Sequence, residues 1–376
     1  MAALHQQFKC QLRPIRCAAQ ARPMAHSRRP VARTLAQAQS TTSFMPQQLA
    51  EVTEPAAQAM AARMQRTPVP IPSLPIPPLA TAFVGPSETQ KQQLRAISQD
   101  RPPVVLLHGF DSSSLEFRRL YPLLEPHTET YAVDLVGWGF TDCEPFAANP
   151  DLTISPQQKR EHLFSFWREH IQRPMVLVGS SLGGAIALDF ALEYPQAVEK
   201  LVLIDAQGFI EGIGPMASLP RPVAAAGVWV LRSEQLRMAA NRMAYHDQAF
   251  ATLDAMRVGR LHTNLPGWAD ANIAFMRSGG YRISTRIRQV QQPALVLWGR
   301  QDQILEPKYA AMFEEALPNA TLQWVEECGH CAHLEQPTIT AASILAFIDG
   351  TDAPQQQRAA AGAAVESGVA AGAQMQ

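Results

Sequence analysis

Short, near-continuous apolar runs alternate along this chain with longer stretches that repeat apolar positions at helical spacing. The runs are Val104–His108, Thr130–Asp134, Met175–Gly179, Leu201–Asp205, Ala294–Trp298 and Thr321–Val325. A run without polar alternation has no face to offer water, so each predicts a strand covered on both sides, as in a parallel sheet. The helical stretches are Leu115–Leu124, Pro156–His170, Leu182–Tyr194, Pro307–Ala316 and Thr338–Ile348. Strand and helix in succession imply right-handed crossovers and a doubly wound, mostly parallel α/β sheet. The rhythm breaks once. From Gln207 to Val290 no strong strand occurs, and the stretch reads as several helices. A helical cap insertion over about 207–290 is expected there, above the C-terminal strand ends where such sheets place their sites.

The ends of the chain read differently. Residues 67–78, TPVPIPSLPIPP, carry proline at alternate or near-alternate positions. Proline fixes φ and donates no hydrogen bond, so residues 51–79 read as an extended linker or edge segment. The ordered body is expected over residues 80–350. The tail 351–376 is mostly Ala, Gly and Gln, offers little to bury and is expected to be disordered. Residues 1–50 hold Lys9 and six arginines and no Asp or Glu. They lack the apolar core of a secretory signal, so they read as an organellar transit peptide. Composition alone leaves chloroplast and mitochondrion open.

Charge and cysteines narrow the classes. The net charge of −1 hides an asymmetry, because residues 51–376 hold 25 basic against 33 acidic residues. Phosphate repels such a surface, so no nucleic-acid partner is expected. With 47% hydrophobic and 17% charged residues the chain is globular. No apolar run approaches the ~20 residues needed to span a bilayer, so any membrane contact is expected to be peripheral. Beyond the first segment only Cys143, Cys328 and Cys331 remain, an odd number that implies no disulfide framework.

The strongest chemical signal is Val176-Leu-Val-Gly179-Ser180-Ser181-Leu182-Gly183-Gly184, a G-x-S-x-G between a predicted strand and a predicted helix. Glycine on both sides of Ser181 removes the Cβ atoms that would clash in a strained strand-to-helix turn. Centring the motif on Ser180 would put Val178 where the first glycine belongs. A serine needs a base. Cys328-Gly329-His330-Cys331-Ala332-His333 follows the last predicted strand; His330 is the expected base and His333 its rival. The acid that orients the base is expected after the preceding strand. Asp302, in Trp298-Gly299-Arg300-Gln301-Asp302, fits, with Asp205 as the second candidate. Val105-Leu-Leu-His108-Gly109-Phe110-Asp111 supplies a loop after an early strand. Backbone N–H groups of Phe110 and Leu182 are the expected oxyanion donors, and His108 is expected to support the loop. No metal and no organic cofactor is expected. Cys328 and Cys331 form C-x-x-C around His330, readable as a redox pair or, as preferred, as two packed thiols.

Together with Asp134-Leu-Val-Gly137-Trp138-Gly139-Phe140-Thr-Asp142, these motifs resemble the α/β-hydrolase superfamily over about residues 80–350. Five segments go further: His108–Ser113, Val136–Phe140, Lys159–His162, Gly259–His262 and Phe275–Tyr281. They are similar to plant and algal chlorophyll dephytylases, chloroplast hydrolases that remove phytol from chlorophyll. The resemblance implies a chloroplast location, peripheral thylakoid contact, and the phytyl ester of chlorophyll as the small-molecule substrate. Burying a branched C20 tail would gain up to ~16 kcal/mol gross at ~0.8 kcal/mol per CH₂, so the cap should present apolar surface. Pro222–Leu231 with Trp229, and Trp268, Phe275 and Met276, are the expected substrate-binding residues, around an apolar cleft between cap and Ser181. Alternatives are a general plastid carboxylesterase or lipase-like enzyme, and a non-catalytic binding protein on a hydrolase scaffold. The last would be marked by a broken triad.

Overall fold

The computed structural model describes residues 44–97 and 101–351. Among them eight strands form one sheet: β1 (Gln65–Val69), β2 (Leu79–Val84), β3 (Val104–Leu107), β4 (Thr130–Val133), β5 (Met175–Ser180), β6 (Val198–Ile204), β7 (Ala294–Gly299) and β8 (Ala320–Val325). Their order is β1-β2-β4-β3-β5-β6-β7-β8. All pairs from β4 to β8 are parallel, whereas β1 and β2 pair antiparallel at one end. The six runs read from the sequence are β3 to β8. Every residue of β3, β4, β5 and β7 is buried, as an unbroken apolar run requires. At the opposite edge β8 carries Gln323 and is half-exposed, since a helix layer covers an edge only in part.

Of the two readings of residues 51–79, the structure shows the edge segment and corrects the linker. Gln65–Val69 is strand β1, with Pro68 opposite Ala80 of β2. Proline is tolerated because β1 is an edge strand, where a missing N–H leaves no neighbour unpaired. The ordered body also starts before residue 80. A helix spans Pro55–Ala62, with proline at its first position. Its buried face is Ala57, Met60 and Ala61, continued by Met64 and preceded by Val52. Burying Val52, Met60 and Met64 contributes roughly 1.5–3 kcal/mol gross for each side chain. Glu54 fixes the entry to this helix, pairing with Arg118 at 2.8 Å and Arg119 at 2.7 Å. Residues 44–50, counted with the transit peptide, belong to this packed region too: Met45 and Leu49 lie against the core. Residues 1–43 and 352–376 lie outside the described residues, and with them the remaining transit-peptide and tail expectations.

Between β6 and β7 the chain forms the helical insertion, with helices Arg221–Leu231, Glu234–Ala244, Leu253–Arg260 and Trp268–Arg277. Ser233 and Thr252 cap two of them, accepting from the Leu236 and Ala255 amides. The cap has its own small core of Ala224, Val228, Trp268, Ile273 and Met276. Among the described residues no helix is long and apolar enough to cross a membrane.

Candidate active site

Strand β5 passes into the helix Leu182–Glu193 through Ser181, at φ 51° and ψ −121°. A side chain in that region is strained, and surrounding contacts must hold it. The Ser181 amide donates to the Ile204 carbonyl at 3.0 Å, and the Ser181 carbonyl accepts from Gly184 at 2.9 Å and Gln207 at 2.8 Å. The turn also needs room: a Cβ on Gly183 would collide with the Leu107 carbonyl at the end of β3. Leu182 is the first helical residue, so its N–H has no acceptor within the helix. The partial positive charge of the helix start adds to it.

The loop after β3 lies against this elbow. A Cβ on Gly109 would sit 3.3 Å from that of Ser181. Phe110 follows, its exposed ring edge-on to Trp138 at 5.5 Å. His108 supports the loop: Nδ1 lies 2.9 Å from the Gly109 carbonyl, and burial pushes the imidazole down to about 3, so it is neutral. Glu116, which the sequence reading missed, accepts from the Gly109 amide at 3.2 Å and from the hydroxyls of Ser112 and Ser180. It thus joins the loop to the elbow. No local pattern announces it.

The expected base and acid lie on the loops after β8 and β7. His330 Nδ1 lies 2.8 Å from Asp302 Oδ2. The other oxygen of Asp302 accepts from the amides of Ile304 at 2.7 Å and Leu305 at 3.0 Å, which fixes the carboxylate. With Nδ1 engaged, Nε2 is the atom left to take a proton. The two loops are stitched together, Gln301 donating to the Cys328 carbonyl at 2.9 Å. The cap reaches this loop as well, since the His330 amide donates to the Ala244 carbonyl at 2.7 Å. Glu335 accepts from Gly329 at 2.7 Å and from Asp247 of the cap at 2.6 Å. Neither tie was visible in the sequence.

The rivals are placed elsewhere. His333 is buried, with its ring 5.2 Å from Phe117, and burial pushes it down to about 3. Asp205 accepts from the Gly299 amide at 2.7 Å rather than from a histidine. Burial, and next the charge of Asp302, raise its carboxyl well above the usual range. Cys328 and Cys331 are free thiols, both pushed up by burial, so the C-x-x-C holds two protonated thiols and no disulfide. Among the described residues no group of three or more His, Cys, Asp or Glu is placed to hold a metal.

The four cap residues expected to bind substrate do not share a surface. The helix Arg221–Leu231 buries Ala224 and Val228, one turn apart, which fixes its phase and turns Trp229 outward at 72% exposure. Trp268 and Met276 are buried in the cap's own core, so they pack the cap rather than line an open cleft. Phe275 differs: its ring lies 4.8 Å from Trp138 and 6.1 Å from Phe110, against the expected oxyanion loop.

Burial pushes the Glu116 carboxyl up to about 7. The unfolded chain ionises first, near 4.5, so this group lowers stability as pH rises from there to about 7 and adds nothing further above it. Glu116→Gln keeps an acceptor and removes the titration. Its melting temperature relative to the parent is expected to climb between pH 5 and 7 and then level, an effect on the order of 3 kcal/mol. Thermal melts across pH measure it. A difference independent of pH would mean that Glu116 does not titrate in this range.

A mostly parallel sheet, a strained serine at the end of its fifth strand and a histidine–aspartate pair on the loops after its last two strands define an α/β hydrolase. Residues 104–343 match the alpha/beta hydrolase family, and the chain belongs to it and is a hydrolase. It is 39% identical over 312 residues to the alpha/beta hydrolase domain-containing protein VTE7 of Arabidopsis thaliana, spanning 82% of this chain and 90% of that one. It is 26% identical over 269 residues to the human (Homo sapiens) monoacylglycerol lipase ABHD6, spanning 66% and 75%. Among solved structures, a thermophilic esterase from Thermogutta terrifontis superposes with TM-score 0.61 at 18% identity, over 76% of this chain and 98% of that one. A serine hydrolase of carbazole degradation gives 0.58 at 22%, over 76% and 99%. These two share the fold.

Proposed function

We propose that the chain is a serine ester hydrolase and that its substrate is the phytyl ester of chlorophyll. The observation that carries the first part is the His330–Asp302 pair, with Ser181 on its strained turn beside the Gly109–Phe110 loop. In this reading Ser181 Oγ attacks the ester carbonyl carbon and its proton passes to His330 Nε2. Asp302 accepts from His330 Nδ1–H and stabilises the imidazolium. The carbonyl oxygen becomes an oxyanion facing the amides of Phe110 and Leu182, each typically worth ~3 kcal/mol in the transition state. His330 returns the proton to the leaving alcohol. Water then attacks the acyl-enzyme by the same route, releasing the acid and restoring Ser181.

The substrate is carried by the sequence resemblance of five segments, among them Gly259–His262 and Phe275–Tyr281 of the cap. The outer face of Arg221–Leu231 adds to it: no charge separates Arg221 from Arg232, and Val223, Trp229 and Val230 are exposed, which suits a surface that meets lipid or pigment. The acid-free first segment supports an organellar location, for which the resemblance implies the chloroplast and peripheral thylakoid contact. A relative named as a monoacylglycerol lipase favours a second reading, a general lipid or carboxylic esterase. The test incubates the purified chain with detergent-dispersed chlorophyll, with a monoacylglycerol and with p-nitrophenyl esters. Chlorophyllide and phytol are the expected products. Good turnover of the other esters without chlorophyllide would replace the proposal by the second reading.

A further inference from the structure

Asp111 follows Phe110 in the loop beside Ser181, at φ 44°. An aspartate in that conformation relies on its surroundings. Its carboxylate is buried, and every donor the structure gives it comes from the cap. Oδ1 accepts from Trp268 Nε1 at 2.7 Å, lies 3.1 Å from His262 Nε2 and accepts from Asn272 Nδ2 at 3.2 Å. Oδ2 pairs with the Arg237 guanidinium. Arg237 also donates to the Asp111 carbonyl at 3.2 Å, to Leu231 at 2.7 Å and to Gly259 at 3.2 Å. Burial alone would raise this carboxyl. The hydrogen bond and charge of His262, then Arg237, overcome it and hold the group below the usual range.

Phe110 therefore lies between two anchors of different origin. Gly109 is tied to Glu116, whose other partners Ser112 and Ser180 lie outside the cap, while Asp111 is tied to three cap segments: the helices Glu234–Ala244 and Trp268–Arg277 and the turn Leu261–Asn264. A shift of the cap must either carry residue 111 along or strand a buried carboxylate without its donors, which is costly. We infer that Asp111 is a positioning residue that couples the seating of the cap to the orientation of the Phe110 amide, so that the oxyanion site is complete only when the cap is seated. The inference rests on the serine-hydrolase reading above.

The test uses the full chain, p-nitrophenyl butyrate as substrate and a trifluoromethyl ketone as a mimic of the tetrahedral intermediate. In Asp111→Asn, Oδ1 keeps its three donors but the ion pair with Arg237 is lost. Arg237→Gln removes the same pair from the more accessible side and serves if the first variant does not fold. Both are expected to lower kcat by about 10²-fold, the value of one oxyanion donor, with KM near that of the parent. The inhibition constant for the ketone should rise by the same factor as kcat/KM falls, and Arg237→Lys should restore part of the loss. A merely structural role would reduce the amount of active enzyme and leave the inhibition constant unchanged; that result, or an unchanged kcat, overturns the inference. A parent without esterase activity would instead remove the serine-hydrolase reading, and the inference with it.

Discussion

Ser181→Ala and His330→Ala are each expected to lower turnover of a p-nitrophenyl ester by about 10⁶-fold, and the double variant little further, because nucleophile and base act as one unit. The residual rate over water would come from the oxyanion donors and substrate binding alone. The strained turn is held by backbone contacts to Ile204, Gly184 and Gln207, so the fold does not depend on the Ser181 side chain, whereas His330→Ala leaves the buried Asp302 Oδ2 without its partner. Ser181→Ala should therefore melt near the parent temperature and His330→Ala somewhat below it, and the readout for both is activity of the folded protein. Labelling by a fluorophosphonate should vanish in Ser181→Ala, which also separates an enzyme from a binding protein on the same scaffold. His333→Ala should behave in the opposite way. That ring is buried against Phe117 and 3.6 Å from Glu116, so its loss opens a cavity and lowers the melting temperature, while kcat falls far less. If His333→Ala lost as much turnover as Ser181→Ala and His330→Ala stayed active, the base would be His333.

The parts of this molecule legible in the sequence share one property: their signal is local. Strands β3, β4, β5 and β7 show themselves because burial on both faces excludes polar residues from short runs. The serine elbow shows itself because its geometry demands small neighbours at fixed positions. His330 and Asp302 follow from their place after the last two strands, which is again local once the strands are known. What escaped is set by distant partners. The hairpin of β1 and β2 was hidden by prolines that only an edge position tolerates. The helix Pro55–Ala62 escaped because its buried face is mainly alanine. Trp229 was expected to face substrate, but only the packing of Ala224 and Val228 against Trp268 and Ile273 decides which way it turns. The donors to the Asp111 carboxylate lie 126 to 161 residues away, and Glu335, beside Gly329 in its own loop, takes a second donor from Asp247, 88 residues away. No spacing rule reaches that far. The cap was legible as a helical insertion, whereas its three ties to the catalytic loops, through Asp111, Ala244 and Glu335, were not.

Asp302→Asn is expected to lower kcat by about 10⁴-fold, whereas Asp205→Asn should leave it nearly unchanged, although the two carboxyls are neighbours. Asp302 Oδ2 fixes the His330 tautomer with the proton on Nδ1 and Nε2 free. An asparagine there can turn its amide toward Nδ1 and reverse the tautomer, as replacement of the triad acid does in serine proteases. The fold should survive, since the remaining oxygen can still accept from Ile304 and Leu305. Asp205 makes a different contact. Its Oδ1 accepts from Gly299, which an asparagine oxygen reproduces, and the Ala332 amide is a further backbone donor to the carboxyl. Burial and the nearby Asp302 charge raise its carboxyl well above the usual range, so the folded state favours a neutral group there already. The sign of the stability effect follows. The unfolded chain loses this proton near 3.8 while the folded chain keeps it, so Asp205 lowers stability as pH rises above that value. Asp205→Asn removes the penalty. Its melting temperature at neutral pH should equal or exceed that of the parent, with the gap closing toward pH 4. Steady-state kinetics and melts on the two variants decide the matter. Loss of activity in Asp205→Asn with Asp302→Asn still active would move the catalytic acid from the loop after β7 to the end of β6.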